Sequence, residues 1–89
     1  MRIDKYLVEF FGTLFFLYII LTIGKPLAVG IALAVAMYLG MTISGGMFNP
    51  AVSIMMTLAG RMPVSELMPY IVAQVLGGVV AFELYRRVR

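Results

Sequence analysis

The chain has 89 residues, of which 63% are hydrophobic and only 12% charged. That is at most one domain, with about half the charge of an ordinary water-soluble one, and its mean hydropathy of +1.05 names lipid as its solvent. The net charge of +3 is gathered mostly near the chain ends and forms no basic stripe, so nucleic-acid binding is excluded as a reading. There is no cysteine and no histidine, which removes disulfides, nucleophilic triads and the common zinc sites. The acids are Asp4, Glu9, Glu66 and Glu83. Neither enzyme chemistry, nor a metal, nor a cofactor has much to build on.

A helix crosses the hydrocarbon core with about 20 mostly apolar residues. The first such run covers residues 6–23. A secretory signal is the competing reading, but Glu9 interrupts the apolar stretch and no small-residue cleavage site follows it. Gly24-Lys25-Pro26 then breaks the pattern, with Pro26 suited to the start of a second helix over 26–42. A glycine-containing stretch, Ser44-Gly45-Gly46, leads to a short apolar segment, 50–59, closed by Gly60-Arg61-Met62-Pro63. A third long run covers 65–85, and Arg86, Arg87 and Arg89 close the chain.

The short segment carries the most information. Ten helical residues reach about 15 Å, half of a roughly 30 Å hydrocarbon core. The segment is too short to span and too apolar for a free loop. It reads as a half-helix dipping into the membrane where protein or a wet cavity satisfies the backbone, or as a helix lying on the membrane surface. Asn49 is a good N-cap, and Pro50 fits the first helical position because its missing N–H is not needed there. Buried at membrane depth, that helix end would present free N–H groups, the positive dipole end and the Asn49 amide donors. It would attract oxygen dipoles and repel cations.

Small residues recur every fourth position at Ala28, Ala32, Ala36 and Gly40, and again at Ala73, Gly77 and Ala81. Such stripes let helix backbones approach in lipid. Two polar residues lie inside spans and need partners, Glu9 about one turn into the first and Gln74 near the middle of the last. Glu9 is either an interfacial acid near a helix N-terminus or a buried acceptor for the re-entrant loop. Glu83, beside Arg86 and Arg87, reads as a solvated ion pair.

Ser44-Gly45-Gly46-Met47-Phe48-Asn49-Pro50-Ala51-Val52-Ser53 resembles the Ser-Gly-x-x-x-Asn-Pro-Ala signature of the aquaporin and glycerol-facilitator (major intrinsic protein) family. Val8-Glu9-Phe10-Phe11-Gly12-Thr13 resembles the family's first-helix Glu-Phe-x-Gly-Thr pattern, and Ala73-Gln74-Val75-Leu76-Gly77-Gly78 its third-helix Ala-Gln-x-x-Gly pattern. The three occur in the family's order and spacing and take in nearly the whole chain. The resemblance implies an all-α, multi-pass membrane protein with three transmembrane helices and one re-entrant half-helix, residing in a cell (plasma or inner) membrane. It implies that Asn49, Pro50 and Ala51 form the permeant-binding motif in mid-channel. By the same resemblance the carbonyls of Gly45, Gly46 and Met47 line a vestibule, and Glu9 and Gln74 brace the loop from behind.

Two departures qualify it. The family fuses two such halves of opposite orientation, and this sequence carries one. One half-helix meets nothing at the membrane centre, so two antiparallel copies would be needed to rebuild a pore, with a tetramer of such dimers as the family's assembly suggests. Of the basic residues, Arg2, Lys5 and Arg61 fall on one side and Lys25, Arg86, Arg87 and Arg89 on the other. That near-balance is what insertion in both orientations requires. A separately encoded second half and a non-conducting structural module are the alternatives. The second departure is the selectivity filter. Val52 stands where the family's second loop carries Arg, and Val29 matches the second-helix filter position that is often a bulky aromatic. The expected constriction is wider and apolar, suited to water or small neutral, glycerol-like solutes.

Overall fold

A computed structural model describes residues 3–88. Met1, Arg2 and Arg89 lie outside the described residues, so the two arginines in the charge count have no placement here. The described chain is all helical: α1 (Asp4–Thr22), α2 (Pro26–Gly40), α3 (Pro50–Leu58) and α4 (Val64–Val88).

Two of these, α1 and α4, are long and apolar enough to cross a membrane. Helix α2 stops at Gly40, two residues before the end its apolar run suggests. The chain tightens there into a turn in which the Ile43 and Ser44 N–H groups both donate to the Gly40 carbonyl. Helix α4 continues three residues past 85. Its last turn gains from Arg86 and Arg87 at the negative end of the helix dipole and from the 2.6 Å Arg86–Glu83 pair.

The burial pattern is inverted relative to a water-soluble bundle. The fully buried side chains of α1 are the polar Glu9 and Thr13, while Leu7, Phe11, Phe15 and Ile20 face outward. That arrangement suits hydrocarbon, where polar groups must find partners inside the protein. Helix α1 packs against both α4 and α2, and α3 packs against α4. The small-residue stripes lie in these seams: Ala32, Ala36 and Gly40 are buried on α2, and Ala73, Gly77 and Ala81 on α4. The closest approach is at Gly77, where an added Cβ would lie 2.6 Å from the Phe10 carbonyl oxygen. Glycine is therefore what lets the α1 and α4 backbones touch.

Helix α1 runs away from the side that carries residues 41–63, α2 returns to that side, and α4 leaves it again. Between α2 and α4 the chain folds back inward. Phe48 reaches Gly12 and Gly40, and Gly46 sits against the Met37 backbone. Asn49 is thereby set level with the middle of α1. From there the nine-residue α3, about 14 Å long, climbs back toward the side it came from.

Candidate functional site

The inward fold is organised around one carboxylate. Glu9 is fully buried. Its Oε2 accepts from the Ser44 hydroxyl at 2.7 Å and the Met47 N–H at 3.0 Å. Its Oε1 accepts from the Phe48 N–H at 2.8 Å and the Gln74 amide at 2.9 Å. Four donors converge on it, three from the loop and one from α4, and charge-assisted bonds of this kind offset the cost of burying a charge. The orientation of the Gln74 amide follows: Nε2 faces two acceptors, Glu9 Oε1 and, at 2.8 Å, Ser53 Oγ on α3. Its Oε1 is buried with no hydrogen-bond partner among the described residues.

This collection of N–H groups determines where the carbonyls go. A trans peptide is planar, so its C=O points opposite to its N–H. The N–H of Gly46 turns toward Ser44 Oγ at 3.2 Å, and those of Met47 and Phe48 toward Glu9. The carbonyls of Gly45, Gly46 and Met47, their peptide partners, therefore point away from Ser44 Oγ in the first case and from Glu9 in the other two. Three successive peptide planes thus carry their carbonyls on the side opposite the groups that hold their N–H. The backbone holds this shape only with unusual dihedrals: φ is 88° at Gly45, 63° at Gly46 and 55° at Phe48. Glycine takes such values freely. Phe48 does not, and its ring, 2% exposed and wedged between Gly12 and Gly40, holds it there.

Asn49 follows in extended conformation (φ −161°, ψ 125°) and caps α3. Its Oδ1 accepts from the Ala51 N–H at 2.8 Å. The cap uses the oxygen, so the NH2 group is left to donate elsewhere. Asn49 and Ala51 are exposed and Pro50 half-buried. The outer face of this helix end thus offers two amide hydrogens beside the positive dipole end, next to a row of carbonyl acceptors.

A cavity of about 480 Å³ opens on the loop side and is lined by Ser44, Gly45, Met47, Arg61, Glu66 and Tyr70, among others. At its rim Lys5 pairs with Glu66, and the Tyr6 hydroxyl donates to Glu66 Oε2 at 2.8 Å.

The structure brings Glu9, Gln74, Gly45, Gly46, Met47 and Asn49 into one region. It does not bring together the two candidate filter residues. Val29 is half-buried in the first turn of α2, at the opposite end from the loop. Val52 packs beside Met47, Met62 and Tyr70. No α2 residue comes within 8 Å, Cα to Cα, of an α3 residue among those described, so the two valines sit on helices that do not pack together.

Three contributors were not singled out from the sequence as site residues. Ser44 holds Glu9 and the Gly46 N–H together. Ser53 ties α3 to Gln74. The Tyr70 hydroxyl donates to the Ser44 carbonyl at 2.8 Å. A usable signal existed for Tyr70, which lies four residues before Gln74 and therefore on the same face of α4.

The sequence pattern of the family described as Major intrinsic protein matches residues 2–89. Aquaporin Z of Brucella melitensis biotype 1 is 43% identical over 95 residues, which cover 89% of this chain and 41% of that protein. Glycerol uptake facilitator protein-like 6 of Lactiplantibacillus plantarum is 39% identical over 88 residues, 86% of this chain and 40% of that one. Aquaporin Z of Photorhabdus laumondii subsp. laumondii is 44% identical over 59 residues, 66% and 26% of the two. The chain therefore spans about two fifths or less of the length of these relatives. No solved structure matches it significantly.

Proposed function

The chain belongs to the major intrinsic protein family, and on that premise we propose that it forms one half of a passive membrane channel for water and small uncharged solutes such as glycerol. The observation that carries this reading is the pairing of opposite hydrogen-bonding groups along one face. Carbonyls of Gly45, Gly46 and Met47 accept, and the Asn49 NH2 at the start of α3 donates. A water or polyol molecule moving along that face exchanges its hydration for a fixed sequence of acceptors and then a donor. The positive end of α3 disfavours a cation at the same point. The role belongs to binding and passage, with no reaction step. Relatives named aquaporin and glycerol uptake facilitator support both water and glycerol as permeants.

The second half of the pore is an antiparallel copy of the same chain, with clustering into a tetramer of dimers. Two features support this. Asn49 and Ala51 are exposed at mid-depth. Val29 and Val52 sit on helices that do not pack together among the described residues of one chain, whereas a two-fold axis in the membrane plane would bring Val29 of one copy toward Val52 of the other. The filter so formed is apolar and without Arg, wide enough for glycerol-like solutes. Localisation in a plasma or inner membrane goes with this reading.

Light-scattering measurement of osmotic shrinkage in proteoliposomes tests the channel: the full chain should raise water permeability above that of empty vesicles. Labelling tests the arrangement. The chain has no cysteine, so one placed after Arg89 reports orientation alone. Labelling of about half the molecules from outside, the even split of an antiparallel pair, supports the homodimer. Labelling of all or none directs the second half to a different polypeptide.

A further inference from the structure

From the contacts of one buried hydroxyl we infer that Tyr70 is a positioning residue for the carbonyl row, and that it sets how well the channel discriminates water from larger neutral solutes. The inference rests on the channel reading above and goes beyond it by assigning selectivity to a residue behind the pore face.

Glu9 and Ser44 Oγ hold the N–H groups of Gly46, Met47 and Phe48. They do not hold the peptide plane just before the row. That plane, between Ser44 and Gly45, is pinned at both ends by other groups. The Tyr70 hydroxyl donates to its carbonyl at 2.8 Å, and its N–H donates to the Met41 carbonyl at 3.1 Å. The next two residues are glycines with φ of 88° and 63°. A tilt of the Ser44–Gly45 plane displaces the Gly45 Cα from which the first carbonyl of the row projects, and with no Cβ neither glycine holds the backbone against that shift by itself.

Tyr70 is itself immobilised. It is 5% exposed and packs with Met47 and Met62. The Tyr6 ring meets it edge-on, with centroids 5.8 Å apart at 86°. Tyr6 is in turn held by Glu66, which pairs with Lys5. A strut of side chains thus runs from the rim of the loop-side cavity to the peptide plane just before the row, and the cavity wall includes both Gly45 and Tyr70.

A buried tyrosine whose hydroxyl is merely satisfied would, when replaced by phenylalanine, reduce the number of assembled channels and lower water and glycerol flux in proportion. A positioning residue changes their ratio. The test is the glycerol-to-water permeability ratio in proteoliposomes of wild type and Tyr70→Phe. The ratio should change by about threefold or more, the effect expected of one neutral hydrogen bond. Ser44-Gly45 is the one Ser-Gly pair in the sequence, so joint ¹³C-carbonyl serine and ¹⁵N-glycine labelling isolates this peptide plane in solid-state NMR, and its carbonyl resonance should move upfield in the variant. Where Tyr70→Phe does not assemble, 3-fluorotyrosine at position 70, nearly the same shape with a stronger hydroxyl donor, should move resonance and ratio in the opposite direction. A ratio that stays constant while wild type conducts, or a carbonyl resonance that does not move, overturns the inference alone. Wild type no more permeable than empty vesicles overturns the channel reading, and the inference with it.

Discussion

Glu9→Gln is the most informative single change, because it keeps the shape of the side chain and removes one acceptor. In the native site each carboxylate oxygen accepts two bonds, and all four partners are donors. Glutamine places an NH2 group against one pair. Set on the Oε1 side, it can be accommodated by Gln74 turning its amide over to present its own oxygen, but the Phe48 N–H is then stranded. Set on the Oε2 side, it strands the Met47 N–H. One buried N–H without a partner costs about 1–3 kcal/mol, and three bonds reduced from charge-assisted to neutral cost about 1 kcal/mol each. The sum is at least about 4 kcal/mol, or roughly a thousandfold weaker docking of the loop. Hydrogen exchange at Met47 and Phe48 reads loop docking, and osmotic shrinkage of proteoliposomes reads conduction. Both should change together, with faster exchange and a large fall in permeability. Exchange and permeability within about twofold of wild type, far short of the loss expected for these bonds, would refute the idea that Glu9 holds the loop.

Gly77→Val should separate α1 from α4, since its Cβ alone would sit 2.6 Å from the Phe10 carbonyl; overpacking costs about 1–3 kcal/mol, readable as a lower melting temperature in detergent. Phe48→Ala empties the space between Gly12 and Gly40 and should cost about 3–5 kcal/mol of stability, with a loop less able to keep its left-handed backbone at 48. The Lys5–Glu66 pair is only partly buried, so a double-mutant cycle on the two should give a coupling below about 1 kcal/mol, and a value several times larger would contradict its placement at the wet rim.

How much of this could be read from the sequence depends on whether the cause is local. The half-helix was legible because Asn-Pro is a local start signal and ten apolar residues are too few to span. The cap bond from the Ala51 N–H to Asn49 is local in the same sense. Glu9 was legible as a residue needing an explanation, but its two readings could be separated only by tertiary structure. Its partners lie 35 to 65 positions away and meet it only because Gly77 lets α1 and α4 touch. Ser53 and Tyr70 stayed hidden for a related reason. A serine in an apolar helix and a tyrosine near a helix start each have many ordinary roles, and only the loop's return path gives them an acceptor or a donor to meet. Phe48 was least legible of all, since its left-handed backbone is maintained by ring packing against two glycines on other helices. The filter pair shows the reverse limit: family resemblance aligned Val29 and Val52, while this chain sets them on helices that do not pack together.

The most direct test of the central claim is water permeability with Asn49→Asp. Aspartate is as good an N-cap as asparagine, so the bond to the Ala51 N–H and the start of α3 survive, and protein yield and melting temperature should stay near wild type. The two amide donors facing the permeant are lost and a negative charge replaces them. The account predicts that permeability per molecule falls about tenfold or more, as for the loss of a well-placed hydrogen-bonding group. A variant as stable as wild type and equally permeable would contradict it, because water would then be crossing somewhere other than past Asn49.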